Sequence, residues 1–217
     1  MCRLKHGKIL PTSIEGTGEL FAERTNMAGI RIGVVTLALI VAFAVGFAAT
    51  QVTSASSKRM ADGKEWTTAN LNVSTPSSYC YDDAERNCRR YGRLYTWESA
   101  QRGCQSLGDG WRLPTDDEWR RLANQYGGLG NDSPAKGHAA YTALVSGGAS
   151  GFNAALGGTR SADGQYERLG AHGGYWTASG NDANTAPFYN FGKGRQALYR
   201  QPGGPKQMAI SVRCIRQ

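Results

Sequence analysis

Apolar residues crowd together in one stretch of this chain, recur with helical spacing in a second and alternate in a third. The crowded stretch covers residues 34–49, broken only by Thr36 and Gly46, and no charged residue occurs over 32–57. It predicts one hydrophobic N-terminal helix, slightly longer than the ~7–15 residues of a secretory h-region and slightly shorter than the ~18 of a membrane span. The flanks support two readings. In the first, Met27 opens a short basic region with Arg31, residues 32–55 are a signal peptide ending in the small residues Thr53, Ser54 and Ala55, and residues 1–31 contain an upstream mis-start. In the second, 1–31 is an N-terminal tail with Arg3, Lys5, Lys8, Arg24 and Arg31 on the cytoplasmic side, and 32–52 is a signal anchor that keeps the protein on the membrane. Either way residues 56–217 are exported to the periplasm or cell surface, with 56–61 a linker and 62–217 the folded domain.

In the exported part, residues 64–73 have the β-branched and aromatic content of a first strand, and 74–87, with Pro76 and the acids Asp82, Asp83 and Glu85, read as a loop. Thr96 caps a helix in which Trp97, Ala100, Cys104 and Leu107 share one face, and Gly108 and Gly110 end it. A second helix begins at Thr115. With Glu118 three residues on, Thr115 forms a capping box, and Asp116 and Asp117 put negative charge on the positive end of the helix dipole. Trp119, Leu122, Ala123 and Tyr126 line its buried face, so the three adjacent carboxylates are explained without catalysis. Residues 139–145 suggest a helical turn. The runs 175–179, 186–191, 196–200 and 207–216 read as short strands, the last half-buried with Met208, Ile210, Val212 and Cys214 on one side. Two early helices followed by short antiparallel strands make the class α+β.

Composition changes the picture in two places. The formal net charge is +8, with 25 Lys and Arg against 17 Asp and Glu, and the part from Lys58 onward carries 20 against 14. An exported basic surface meets acidic polysaccharide or lipid phosphate rather than nucleic acid, and no nucleic-acid module is present. Of five cysteines, Cys2 precedes the apolar stretch, leaving Cys80, Cys88, Cys104 and Cys214 in an oxidising compartment. Four cysteines allow three pairings. Cys80 with Cys88 closes a short polar turn and Cys104 with Cys214 ties a helix to the final strand, which is the favoured arrangement.

Five stretches, YGRLYTWESA, GWRLPTDDEW, GFNAALGGTR, GGYWTAS and SVRCIR, stand in the order found in the Fibrobacter succinogenes major paralogous domain, and from about Asp62 to Arg216 the chain resembles that family. The resemblance implies a relation to the formylglycine-generating-enzyme and C-type-lectin-like folds: a strand-rich domain with two helices, long loops, and a bridge from an early helix to the last strand. It also implies a bacterial envelope or secreted protein. Formylglycine-generating enzymes hold copper with two cysteines near the C-terminus. Here Cys214 has no second cysteine in its half of the chain, so the soft thiolate pair that Cu(I) takes is not in the pattern.

No catalytic motif emerges. His138 and His172 have no metal-ligand spacing, and neither a nucleophile elbow nor a phosphate-binding loop occurs. No cofactor is expected; Asn181, Asp182 and Asn184 offer oxygen ligands that calcium would accept, but a run of this kind is more often just a turn. The planar and polar residues of the late loops, Arg160, Tyr166, His172, Tyr175, Asn181, Asp182, Tyr189 and Asn190, are the candidate ligand contacts, Trp176 being expected to face the core beside Tyr175. The expected function is a disulfide-stabilised, non-enzymatic binding or adhesion domain of the cell envelope, with a glycan or an envelope protein as ligand. The alternatives are a copper-dependent modifying enzyme and a purely structural envelope protein.

Overall fold

The structure is a computed structural model that describes residues 55–217; the expected hydrophobic segment and N-terminal tail lie outside the described residues. Among the described residues no helix is long and apolar enough to cross a membrane. In chain order the elements are β1 (Ser57–Arg59), β2 (Glu65–Thr67), β3 (Ser78–Tyr79), a 3-10 turn (Tyr81–Asp83), α1 (Glu85–Tyr91), β4 (Leu94–Tyr95), α2 (Trp97–Gln105), α3 (Asp116–Gln125) and α4 (Pro134–Leu144). Six strands complete the chain: β5 (Thr159–Arg160), β6 (Tyr166–Glu167), β7 (His172–Trp176), β8 (Thr185–Gly192), β9 (Ala197–Pro205) and β10 (Ile215–Arg216). The class is α+β, but among the described residues there are four α-helices rather than the two expected of this domain.

The helices form where local chemistry dictates. At α3, Thr115 Oγ1 accepts from the Glu118 N–H at 3.2 Å while Glu118 Oε2 accepts from the Thr115 N–H at 2.9 Å, the expected capping box. Both acids also pair: Glu118 with Arg112 and Asp116 with Arg200, at closest approaches of 2.6 and 2.8 Å. Helix α2 starts after Thr96 as expected, although the Thr96 side chain makes no capping bond. Helix α4 is longer than the expected turn because Ser133 caps it and Pro134 occupies its first helical turn, where a missing N–H costs nothing. Helix α1 occupies part of the expected loop and carries Cys88 on its buried side.

The central element is the antiparallel sheet β7–β8–β9, in which Tyr175 faces Tyr189 and Trp176 faces Phe188 across the first pair. Side chains alternate across it; one face is buried along its length, the other at its Trp176 and Phe188 end. On one face Tyr175, Tyr189, Phe191 and Leu198 pack against α3, α4 and Phe152, with the Trp119 and Tyr189 rings stacked at 5.2 Å and 16°. On the other, Trp176 packs against Tyr95, Ile210 and Val212. Burying each such ring contributes roughly 1.5–3 kcal/mol. Trp176 is in the core as expected, but so is Tyr175.

The C-terminal run differs from the expected half-buried strand. Residues Ala209, Ile210, Ser211, Val212, Arg213, Cys214 and Ile215 are all buried, and only Ile215–Arg216 forms a regular strand, paired with β2. Bridges from Ala209 to Arg160, Ile210 to Tyr95 and Ser211 to Tyr175 thread it between three elements, so both of its sides are covered. The two disulfides are Cys80–Cys88 and Cys104–Cys214, joining residues 8 and 110 positions apart.

Candidate functional site

The register of β7–β8–β9 decides which side chains meet. His172, Gly174 and Trp176 point to one face of β7, Phe188, Asn190 and Gly192 to the same face of β8, and Tyr199 and Gln201 to it on β9. At the Trp176 and Phe188 end this face is covered, and Ile210 sits close over Gly174, where a Cβ would lie 3.2 Å from its side chain. At the His172 end it is open. Two adjoining hollows of about 400 and 370 Å³ lie there, both lined by His172, Asn190 and Gln201, and together they form a trough across the sheet.

The β5–β6 hairpin walls one side and brings Arg160 to the trough, while Tyr199 and Arg195 line the other end. The Arg160 guanidinium lies 4.0 Å from the centroid of the Tyr79 ring and 5.6 Å from that of Tyr166. Tyr166 in turn packs on Tyr81 at 5.1 Å and donates its hydroxyl to Asp83 at 2.7 Å. Burial and the Asp83 carboxylate push the Tyr166 hydroxyl up to about 12, against the pull of Arg160, so it stays a neutral donor. These tyrosines are half-exposed and flank the first disulfide.

Some of the left-handed backbone of the domain lies near the trough. Asp82 and Asp83 take left-handed φ of 53° and 51° beside Tyr81, and Arg168 and Gln196 take 63° and 47° beside the hollows. Such conformations cost on the order of 1 kcal/mol each and persist where surrounding structure over-determines them. His172 Nδ1 lies 3.2 Å from Asn190 Oδ1, which aligns an imidazole and an amide edge along the trough floor.

Of the eight candidate contacts, Arg160, His172 and Asn190 line the trough and Tyr166 stands beside Arg160. Tyr175 and Tyr189 are fully buried and present no ring to a ligand. Their hydroxyls are used inside, Tyr175 on Asn70 Oδ1 at 2.9 Å and Tyr189 on Asp116 at 3.0 Å. Asn181 and Asp182 lie in the exposed turn before β8 and hold it shut. Asn181 Nδ2 donates to the Pro202 carbonyl, and Asp182 accepts from the Asn184 and Thr185 N–H groups and the Thr185 hydroxyl, all at 2.7–2.8 Å. The Asp182 carboxylate is therefore engaged as the turn's own acceptor. Cys80, Glu85 and Cys88 also come close together, but their two sulfurs are joined in a disulfide and offer no thiolate to a metal. Tyr199 and Gln201 of the trough, and Tyr79 and Tyr81 packed on Arg160 and Tyr166, escaped the sequence reading, since only the folded chain brings them near.

No solved structure and no functionally curated protein matches the chain. The profile of the Fibrobacter succinogenes major domain matches residues 52–216, nearly the whole described part, and the chain belongs to that family.

Proposed function

We propose that this protein is an exported, non-enzymatic binding domain of the bacterial cell envelope or surface, and that the trough over β7–β9 takes a glycan. One observation carries the reading: an open groove is floored by imidazole and amide edges and bordered by half-exposed Tyr199 at one end and by Arg160 at the other, with the half-exposed Tyr166 ring beside that guanidinium. Rings that present a flat apolar face beside planar hydrogen-bonding groups suit a sugar, which has both an apolar ring face and a fringe of hydroxyls. The two disulfides support an oxidising location.

The kinship with C-type-lectin-like and formylglycine-generating-enzyme folds belongs to the same proposal, supported by the bridge from α2 to the C-terminal run. A copper-dependent modifying activity would need two free thiolates; all four cysteines of the described residues are in disulfides, which favours the binding reading.

The full chain, held in mild detergent, is to be screened against a glycan array and against envelope fractions split into polysaccharide and protein. Saturable glycan binding is expected. Binding only to the protein fraction would replace the glycan with a protein partner, and binding no greater than that of heat-denatured protein would sink the proposal.

A further inference from the structure

Arg160 is an unusual cation. It is half-buried, and among the described residues no carboxylate forms an ion pair with it, a condition it shares with several exposed arginines and with Arg213. Its Nε is buried without a hydrogen-bond partner. A guanidinium held this way has lost part of its hydration, offset by the Tyr79 ring at 4.0 Å, the Tyr166 ring at 5.6 Å and the charge of the exposed Asp163 nearby, while its Nε stays unpaired. Arg168 and His172 line the same hollow, and its one carboxylate, Glu167, lies 3.8 Å from Arg168 in an exposed pair. Arg195 lines the adjoining hollow. The trough thus carries more positive than negative charge and displays a planar fork whose natural complement is a pair of anionic oxygens.

We propose that the trough's ligand is an acidic sugar, with its anionic substituent received by the Arg160 guanidinium and its ring lying toward Tyr166 and the His172–Asn190 floor. The inference rests on the glycan reading of the trough and adds the charge of the ligand and the residue that reads it. A uronate carboxylate and a sulfate ester share the required oxygen pair, so the test includes both.

Full-length protein is titrated at 0.15 M salt with trigalacturonate, with its neutral trimethyl ester, with sucrose octasulfate and with a pentaglutamate peptide. Arg160→Gln, Arg160→Lys and the surface control Arg121→Gln are compared, each checked by near-UV circular dichroism. The wild type should prefer an acidic sugar over the ester by about tenfold to a hundredfold, the range expected for a charge-assisted pair. Arg160→Gln should abolish that preference while still binding the ester, Arg160→Lys should restore part of it, and Arg121→Gln should leave it unchanged. Preference for the octasulfate with the same Arg160 dependence supports the proposal and makes the substituent a sulfate. Equal affinity for acid and ester, or equal losses in Arg160→Gln and Arg121→Gln, overturns it while leaving a neutral-glycan site standing. Pentaglutamate bound in preference to every sugar overturns it in favour of an acidic protein. Should no sugar bind in this titration or on the array, the glycan reading falls with it.

Discussion

Arg213 is fully buried, and replacing it with methionine tests what holds the C-terminal run in place. Its Nε donates to Asn70 Oδ1 at 2.9 Å, Nη1 to the carbonyls of Thr67 and Phe152 at 2.7 and 2.6 Å, and Nη2 to that of Asn153 at 2.6 Å. The Phe152 ring lies 4.4 Å below the guanidinium, and no carboxylate pairs with it among the described residues. Burial pulls its pKa down to about 10 against the opposing influence of Tyr175, so the group is still charged at neutral pH. Three backbone carbonyls lose a donor in Arg213→Met, while Asn70 Oδ1 keeps the Tyr175 hydroxyl. Three stranded carbonyls cost roughly 3–9 kcal/mol, partly offset by no longer burying a charge; removing one partner of a buried charged network nets about 3–5 kcal/mol. That is a large share of the ~5–15 kcal/mol that folds an ordinary domain. In urea, with a slope near 2 kcal/mol/M, the oxidised variant's midpoint should fall by roughly 2 M. Arg213→Lys, keeping the charge but not the fork, should fall in between. A midpoint within ~0.5 M of the parent for Arg213→Met would mean that the carbonyls find other donors and that Arg213 is not the pin.

Removing the Cys104–Cys214 bridge by paired alanines should cost about 5 kcal/mol and removing Cys80–Cys88 about 2.5, since the closed loops span 110 and 8 positions; thermal melts giving the reverse order would contradict this. At Glu118, burial works to raise the carboxyl, but hydrogen bonds from Arg112 and Thr115 pull it down from 4.5 to about 2. Its folded value lies below the unfolded one, so its stabilisation is complete above pH 4.5 and is lost toward pH 2. With Arg112 at 40% exposure the pair contributes about 1–2 kcal/mol, and Glu118→Gln should remove it at pH 7 and flatten the stability profile between those pH values; an unchanged acid limb would refute the pairing. Gly137→Ala should destabilise despite alanine's ~1 kcal/mol better helix propensity, because its Cβ would come 2.5 Å from the Gly130 backbone; a raised melting temperature would show that α4 shifts freely.

What the sequence disclosed followed the distance over which each signal acts. The capping box of α3 needs four consecutive residues and was legible in full, as was the face of α2 with Cys104 on it. Helix α4 was legible at its apolar end, while its Ser133–Pro134 start lay outside the stretch read as helical. The C-terminal run was misjudged because alternation of Met208, Ile210 and Val212 signals one apolar face, whereas Arg213 is made compatible with burial only by carbonyls about 60 and 146 positions away. A local pattern cannot contain those partners. The same limit governs the site: Arg160, His172 and Asn190 were chosen for their chemistry, Tyr199 and Gln201 join them through the register of β9, and Tyr79 and Tyr81 come near only by packing on Arg160 and Tyr166.

The sheet β7–β9 has to serve two demands with alternate residues of the same strand, and neighbours on β8 should therefore respond in opposite ways. Tyr189 faces inward, stacked on Trp119, with its hydroxyl on Asp116, whose carboxylate also holds Arg200. Burial and the Asp116 charge push that hydroxyl's pKa far up, so it remains a donor at every physiological pH. Tyr189→Phe keeps the stack and loses the hydrogen bond, a cost of about 1 kcal/mol, and leaves the trough unaltered. Asn190, one position on, faces outward, and its side chain's one hydrogen bond among the described residues is the 3.2 Å approach to His172. Asn190→Ala should change stability by less than ~0.5 kcal/mol, as for an ordinary surface site, yet weaken glycan binding several-fold. Urea midpoints and sugar titrations on the two variants separate the effects. Loss of binding in Tyr189→Phe equal to that in Asn190→Ala would mean that the floor of the trough depends on the packing beneath it, and the assignment of one face to the core and the other to a ligand would fail.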